Sequence, residues 1–123
     1  MIRSRVRARQ RQLARQRMLS DVPNADVILT NPTHFAVALK YDGATMTAPR
    51  VVAKGADVVA QRIRDIAGDH RIPIVENPPL TRALFRAVEV GEEIPGEFYA
   101  AVAEVLAYVY QINARHRPQH ATV

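Results

Sequence analysis

The run Asn31-Pro32-Thr33-His34 combines residue types that can break their own backbone. The side-chain amide nitrogen of an asparagine can attack the carbonyl carbon of the same residue, which closes a succinimide ring and expels the nitrogen of the next residue. Because nucleophile and electrophile belong to one residue, a turn that aligns them removes much of the entropic barrier. The run is therefore a candidate for one intramolecular cleavage between Asn31 and Pro32, which would be a single-turnover reaction and not that of a protease acting on other chains.

The four residues are expected to play different roles. Pro32 fixes φ, has no N–H and leaves as a secondary amine, and a turn that twists its peptide bond would weaken the amide resonance. Thr33 is expected to hold the turn through its hydroxyl. His34 is the only titratable side chain beside the bond and can help to move a proton, although a histidine satisfied by a backbone carbonyl is an equally good interpretation. We predict Asn31 and Pro32 to be essential and Thr33 and His34 to be modulators.

Asn-Pro is also a common turn dipeptide, and most such pairs stay uncleaved. The residue before a proline is pushed out of the α region, so the end of a strand is expected at Asn31 whatever its function. The chain contains its own comparison, because Asn77-Pro78 is followed by Pro79 and Leu80 in place of threonine and histidine. The dipeptide alone therefore does not establish cleavage.

The segments around the turn must position it. Apolar, β-rich residues at 25–30 and 35–41 predict two flanking strands, and their near-continuous hydrophobicity favours a central, doubly buried place in a sheet. Further elements are expected as a helix at 2–19, strands at 50–53 and 72–75, and helices at 55–69, from Pro78, and after Pro95-Gly96 to about 113. The predicted fold class is α/β, a single domain with a roughly four-stranded sheet flanked by helices and preceded by a basic N-terminal helical arm. We place the arm at 1–22, the domain at 23–114 and a polar, flexible tail at 115–123.

Charge is unevenly distributed along the 123 residues. Residues 1–20 contain seven of the 17 Lys and Arg residues and no acid, so the other ten basic residues face 12 acidic ones in the rest of the chain. Such an arm binds nucleic acid, anionic lipid or acidic protein surfaces, or is simply solvated. It lacks aromatic residues that could stack on bases, which disfavours nucleic acid. No run approaches the roughly twenty apolar residues of a membrane span and no signal peptide is visible, so the chain is expected to be soluble as given.

Other catalytic chemistry finds little support in the sequence. Cysteine is absent, and no Gly-rich phosphate loop or nucleophile elbow is present. The histidines show no metal-ligand spacing; they are His34, His70, His116 and His120. We therefore expect neither a metal nor a cofactor.

The similarity of the chain to a known family extends over nearly its whole length. It is carried by residues 25–41, which include the Asn-Pro-Thr-His run, and by residues 48–57, 72–77, 91–95 and 98–110. Together these segments resemble the self-cleaving cytoplasmic domain of the type III protein-export gate family, whose members serve bacterial flagella or virulence injectisomes. The details are closer to the flagellar members.

This resemblance implies the cytoplasmic part of a bacterial inner-membrane protein, with an arm that continues from a missing transmembrane region. Arginines concentrate at such positions and attract anionic headgroups. The resemblance also implies that cleavage leaves residues 1–31 and 32–123 associated and accompanies a switch from rod and hook to filament export substrates. The implied partners are other export-gate components, early export substrates and a hook-length control protein.

The resemblance further implies where early substrates dock. Matched residue by residue, their apolar patch falls on Ala48, Pro49, Ala103 and Leu106. Ala48 and Pro49 lie in an expected loop, which favours exposure, whereas Leu106 lies on the apolar stripe of the last helix and can equally be core. The nearby Arg50 and Lys54 are expected to be ordinary solvated charges.

Two alternatives stay open at this point. The same cleavage chemistry fits an injectisome member of the family. A small binding module with an uncut turn at Asn31, and a basic arm that touches lipid or nucleic acid, fits the sequence without any catalysis.

Overall fold

The computed structural model describes residues 2–116, in which a four-stranded mixed sheet carries helices on both faces. The strands are β1 (Val27–Asn31), β2 (Phe35–Lys40), β3 (Arg50–Ala56) and β4 (Ile74–Glu76), and the helices are α1 (Ile2–Ser20), α2 (Asp57–Asp69), α3 (Pro78–Ala87) and α4 (Tyr99–His116). Two 3₁₀ turns lie at Val22–Asn24 and Gly96–Phe98. The α/β class, the four-stranded sheet and the preceding helix predicted from the sequence are confirmed.

The order of strands in the sheet is β3-β2-β1-β4. β1 and β2 are antiparallel, as are β2 and β3, whereas β4 runs parallel to β1. A parallel pair needs a crossover connection, which α2 provides between β3 and β4. β1 and β2 are therefore central, and Val27–Thr30 and Ala36–Leu39 are buried throughout, as their continuous hydrophobicity predicted.

Successive side chains of the two central strands point to opposite faces of the sheet. On one face, Leu29 and Val37 pack in a cluster with residues of α3 and α4. On the other face, Ile28 and Ala38 pack with residues of α2 and the end of α1. Full burial of a large aliphatic side chain contributes about 1.5–3 kcal/mol, so the turn between β1 and β2 is attached to the most firmly held part of the sheet.

The arm helix α1 meets the rest of the domain mainly at its end. Residues 2–17 are exposed, whereas Met18 and Leu19 pack into the cluster around Ile28 and Ala38. Val6 and Leu13 are 49% and 41% exposed, so the domain does not cover them. Among the helices of residues 2–116, none combines the length and apolar character needed to cross a bilayer.

Several element boundaries differ from the sequence prediction, among them those of β3, α2 and β4. β3 was expected to end at residue 53 but continues to Ala56, because Gly55 and Ala56 pair with the first residues of β2. α2 consequently begins at Asp57, two residues later than expected. β4 spans 74–76 in place of 72–75, because the N–H of Ile72 still donates to the Ala67 carbonyl, 2.9 Å away, at the end of α2. The domain limits at 22 and 114 stay predictions, and residues 117–123 of the predicted tail lie outside the described residues.

Substitution of Gly55 tests the packing of β3 against α2. A Cβ at Gly55 would lie 2.3 Å from Cγ1 and 2.7 Å from Cβ of Val59, so Gly55→Ala overpacks this contact. We expect the free energy of unfolding to fall by about 1–3 kcal/mol, measured by urea denaturation in an Asn31→Ala background, in which the cleavage predicted from the sequence cannot divide the chain.

Gly68→Ala is the matched control for this substitution. No atom lies within 4 Å of a Cβ built at Gly68, and the residue belongs to α2, where alanine is favoured over glycine by about 1 kcal/mol. The two variants should therefore change stability in opposite directions. A Gly55→Ala protein as stable as its parent would contradict the packing described.

Candidate functional site

The Asn31-Pro32-Thr33-His34 run forms the tight turn between β1 and β2. Asn31 pairs with Phe35, so Pro32, Thr33 and His34 alone close the hairpin. The N–H of His34 donates to the carbonyl oxygen of Asn31 at 2.9 Å, and Thr33 has a φ of 66°. Proline at the second position and a positive φ at the third are the features of a type II turn.

Thr33 occupies a backbone conformation that normally belongs to glycine or asparagine. A β-branched residue with positive φ is a genuine outlier, and the left-handed conformation costs an L-residue about 1–2 kcal/mol. Such strain persists only where the surroundings enforce it. Here the enforcement is visible, because the carbonyl of His34 accepts the N–H of Asp57 at 2.9 Å and the carbonyl of Thr30 accepts the N–H of Asn77 at 3.0 Å.

The bond from the His34 N–H falls on the carbonyl that the proposed reaction would attack. Attack at the Asn31 carbonyl carbon develops negative charge on its oxygen, and a donor already aimed at that oxygen stabilises the charge without reorganisation. The contact is made by the backbone of His34 and so does not depend on its imidazole. Residue types alone did not identify this donor. Pro32 could have indicated it, because proline favours the second position of a β-turn. In such a turn the N–H of the fourth residue often donates to the carbonyl of the first residue.

The side chains of the turn are accessible. Asn31 is half-buried, and Pro32, Thr33 and His34 are exposed. The side-chain hydrogen bonds within residues 2–116 involve none of Asn31, Thr33 and His34. The expected hydroxyl contact of Thr33 is therefore not found, and Thr33 affects the turn through its backbone. Within residues 2–116, the structure likewise shows no hydrogen bond from the His34 imidazole to a backbone carbonyl.

The second Asn-Pro pair has a different geometry. Asn77 is the N-cap of α3, and its side-chain oxygen accepts the N–H of Leu80 at 3.3 Å. Its carbonyl accepts both the N–H of Thr81 at 2.9 Å and the Thr81 hydroxyl at 2.7 Å. Pro78 then stands at the first helical position, which suits a residue without an N–H. The side-chain oxygen of Asn77 is therefore engaged in a cap, a contact usually worth about 1 kcal/mol, and the φ of Asn77 is negative, at −152°.

Aromatic packing supports the turn from the side of α3. The ring of Phe35, the residue that follows the turn, lies 4.6 Å from that of Phe85 between centroids. Lys54 Nζ lies 5.0 Å from the centre of the Phe85 ring, donates to the Phe85 carbonyl at 2.8 Å and is 3.8 Å from the Glu89 carboxylate. The Lys54 side chain is only 16% exposed. The expectation that Lys54 is an ordinary solvated charge is therefore wrong, because its ammonium connects β3 to α3.

The four residues assigned to substrate docking lie together around one surface cleft of about 250 Å³. Ala48 and Leu106 are 2% and 6% exposed and form its floor, whereas Pro49 is half-buried and Ala103 is exposed. The expectation of an exposed Ala48 is wrong, because the Pro49 carbonyl accepts the N–H of Ile94 at 2.8 Å and draws this loop onto the core. The core interpretation of Leu106 is confirmed by its burial.

Two tyrosines that the sequence analysis did not single out complete the walls of this cleft. Tyr41 and Tyr99 line it and are 36% and 48% exposed. The N–H of Tyr41 donates to the Asp26 carboxylate at 2.7 Å, which fixes the start of the loop. Burial, followed by the Asp26 carboxylate and Tyr41, raises the pKa of the nearby Tyr110 hydroxyl. The cleft is lined without charged side chains and is therefore suited to an apolar segment.

Comparisons with known proteins show which family and which fold the chain resembles. Residues 1–109 match the model of the family described as FlhB HrpN YscU SpaS. The chain is 58% identical over 112 residues to the flagellar biosynthetic protein FlhB of Salmonella typhimurium and 53% identical over 115 residues to that of Bacillus subtilis. These alignments cover 91% and 94% of this chain but 29% and 32% of the two relatives.

Solved structures give the same result. The cytoplasmic domain of FlhB from Shewanella putrefaciens is 45% identical, with a TM-score of 0.80, and the match covers 85% of this chain and 84% of that one. A mutated EscU C-terminal domain is 29% identical, with a TM-score of 0.73, over 75% of this chain and 92% of that one. The similarity therefore extends to both sequence and fold.

The strain at Thr33 can be measured directly. Thr33→Gly should raise the free energy of unfolding by about 0.5–1 kcal/mol, because it relieves about 1–2 kcal/mol of left-handed strain and gives back part of that through the greater freedom of glycine in the unfolded chain. The measurement is urea denaturation in the Asn31→Ala background. Thr45→Gly is the control, since Thr45 lies in an exposed turn without a positive φ and should lose stability. Equal losses in both variants would show that the turn is not strained.

Proposed function

Because this chain belongs to the FlhB HrpN YscU SpaS family, we propose that it is the self-cleaving cytoplasmic domain of a flagellar type III protein-export gate. Two relatives named as flagellar proteins are 53–58% identical to this chain, whereas the EscU domain is only 29% identical to it. This difference in sequence identity supports the flagellar assignment. The observation that carries the proposal is the strained Asn31–Pro32 turn, whose scissile carbonyl already accepts a backbone N–H.

The proposed reaction is a transfer of the Asn31 acyl group within one residue. The Asn31 side-chain nitrogen forms a bond to the Asn31 carbonyl carbon, and the developing oxyanion is held by the His34 N–H. The bond to the Pro32 nitrogen then breaks, and the proton lost by the attacking amide reaches that nitrogen, either through water or by way of the exposed His34 imidazole. Residue 32 becomes a new amino terminus. Water opens the succinimide, so the two fragments together weigh one water more than the intact chain.

The relative sizes of the contributions favour the backbone donor over the strain. Loss of one oxyanion donor in an enzyme costs about 3 kcal/mol of transition-state stabilisation. The left-handed Thr33 stores about 1–2 kcal/mol, and each 1.4 kcal/mol corresponds to about tenfold in rate. Thr33 and the His34 imidazole are therefore modulators in this proposal, whereas Asn31 and Pro32 are essential.

Cleavage would leave the domain assembled. β1 is paired with β2 on one side and β4 on the other, and Val27, Ile28 and Leu29 are fully buried. At about 1.5–3 kcal/mol for each buried side chain, the strand is held without its covalent connection. The change is thus confined to the exposed turn, which supports the proposal that cleavage alters a surface read by export partners when export changes from rod and hook to filament subunits.

The arm contributes a second proposed contact. The arginines of residues 3–17 are all exposed on α1, which supports placement of this helix beside the anionic inner face of the bacterial membrane. The other partners proposed are export-gate components and a hook-length control protein.

The test of self-cleavage is intact mass under denaturing conditions for wild type, Asn31→Ala and Asn77→Ala. Wild type and Asn77→Ala should give the same two fragments, which meet between Asn31 and Pro32, because the Asn77 side chain of the wild type is held through its oxygen in a helix cap and is not expected to react. Asn31→Ala should stay whole, because it lacks the nucleophile. An intact wild-type chain after prolonged incubation at neutral pH would exclude self-cleavage, and fragments of Asn31→Ala that meet at Asn77-Pro78 would show that the turn geometry is irrelevant.

We also propose that the cleft over Ala48 and Leu106 receives a short apolar segment of early export substrates. Its uncharged lining and its two tyrosine walls support this assignment. The proposal is independent of cleavage, because the cleft and the turn share no residue.

Substrate docking can be tested by placing a charge in the cleft. Ala103→Glu puts a carboxylate into an apolar site and should weaken binding of a purified rod or hook subunit about tenfold or more, because an unpaired charge on a desolvated surface is costly. Ala107→Glu is the control, since Ala107 is exposed on the same helix but does not line the cleft. Calorimetric titration that finds equal affinities for the two variants would contradict the assignment.

A further inference from the structure

A groove of about 700 Å³ lies between the end of α1 and the sheet, and it belongs to neither site described above. We call it the arm groove. Its lining comes from α1, with Arg15, Arg17 and Met18, and from the domain, with Lys54, Phe85 and Val90. It exists because α1 touches the domain near Met18 and Leu19 and leaves a gap over the end of β3.

The floor of the arm groove is apolar and open to solvent. Met18, Val59 and Phe85 are half-buried, and Val90 is 42% exposed. Gly55 contributes no side chain, so the groove reaches the backbone of β3. A concave apolar surface that keeps contact with water is a common place for a partner to bind.

The rim of the arm groove is positively charged. Arg15, Arg17 and Lys54 line it, against the single acid Asp21. Lys54 is partly neutralised by Glu89 at 3.8 Å. Within residues 2–116, the ion pairs are Arg50–Glu93 and Lys54–Glu89, so neither Arg15 nor Arg17 has a carboxylate partner there.

We propose that the arm groove docks a segment of a protein partner in which apolar side chains are flanked by carboxylates. The apolar floor would bury the side chains, and Arg15 and Arg17 would pair with the acids, an arrangement that adds specificity and speeds association. A polyanion such as a lipid surface or nucleic acid fits less well, because its charged groups would leave the apolar floor uncovered. It would contact the arginines nearer the start of α1 equally well.

The position of the groove gives such a partner contact with the hairpin. The Phe85 ring lines the groove and also packs on Phe35, the residue that follows the turn. The docking proposal itself does not depend on cleavage, because every residue of the groove lies outside the turn.

The test uses the full chain and two fluorescent synthetic peptides. In one, Leu and Phe alternate with Glu; in the other, Lys replaces every Glu. Fluorescence anisotropy should show binding of the acidic peptide and binding of the basic peptide at least about tenfold weaker, a difference of about 1.4 kcal/mol. The amide resonance of Gly55 should shift on titration with the acidic peptide, which places the peptide in the groove.

The chain offers a matched pair of double variants. Arg15→Glu with Arg17→Glu should weaken the acidic peptide about tenfold, whereas Arg3→Glu with Arg5→Glu, which has the same net charge and the same helix, should change its affinity less than about twofold because screening is strong beyond about 10 Å. Equal losses of peptide affinity in both variants would show that the arm is a general polyanion contact and would overturn the proposal, whereas weaker binding of both variants to phosphatidylglycerol vesicles is expected from the membrane placement proposed above. Absence of peptide binding, or a Gly55 resonance that does not move, would overturn it as well.

Discussion

The antiparallel pairing of β1 with β2 is the constraint on which the candidate chemistry depends. It leaves three residues to close the hairpin between Asn31 and Phe35, and it does so between two strands that are buried on both faces. A left-handed Thr33 costs about 1–2 kcal/mol, which is small beside several buried side chains at about 1.5–3 kcal/mol each. The sheet therefore holds the turn in a shape that an isolated peptide would avoid. The same shape places the His34 N–H on the Asn31 carbonyl.

Conformation also separates the two Asn-Pro pairs, which are chemically the same. Their strands are neighbours, and the N–H of Asn77 even donates to the carbonyl of the residue before Asn31. Asn31 begins a strained hairpin, and its side chain makes no hydrogen bond within residues 2–116. Asn77 instead caps a helix with its side-chain oxygen. Reactivity in this account belongs to the turn as a whole and not to the dipeptide. Outside the turn itself, we therefore expect the residues that hold the hairpin in place to influence cleavage most, among them Phe35 and Phe85.

Much of this architecture could be predicted from the sequence, for identifiable reasons. Continuous apolar runs at 25–30 and 35–41 correctly indicated central strands, and Pro78 correctly marked the start of a helix. The end of β3 was missed because Gly55 weakens a local strand signal that pairing with β2 overrides. The burial of Ala48 and of Lys54 was missed because both depend on distant partners, Ile94 and Phe85. The N–H that donates to the Asn31 carbonyl belongs to the backbone of His34, so the sequence indicates it only indirectly, through the turn that Pro32 favours.

The most direct test of the central claim compares one chain in two states. Protein purified and kept in concentrated urea is divided, half is diluted into buffer to fold, and intact mass is followed in both halves. We expect fragments that meet between Asn31 and Pro32 in the folded half only, since only the sheet imposes the strained turn and the N–H donor to its carbonyl. Cleavage at the same rate in urea would contradict it, because the dipeptide would then react without the fold.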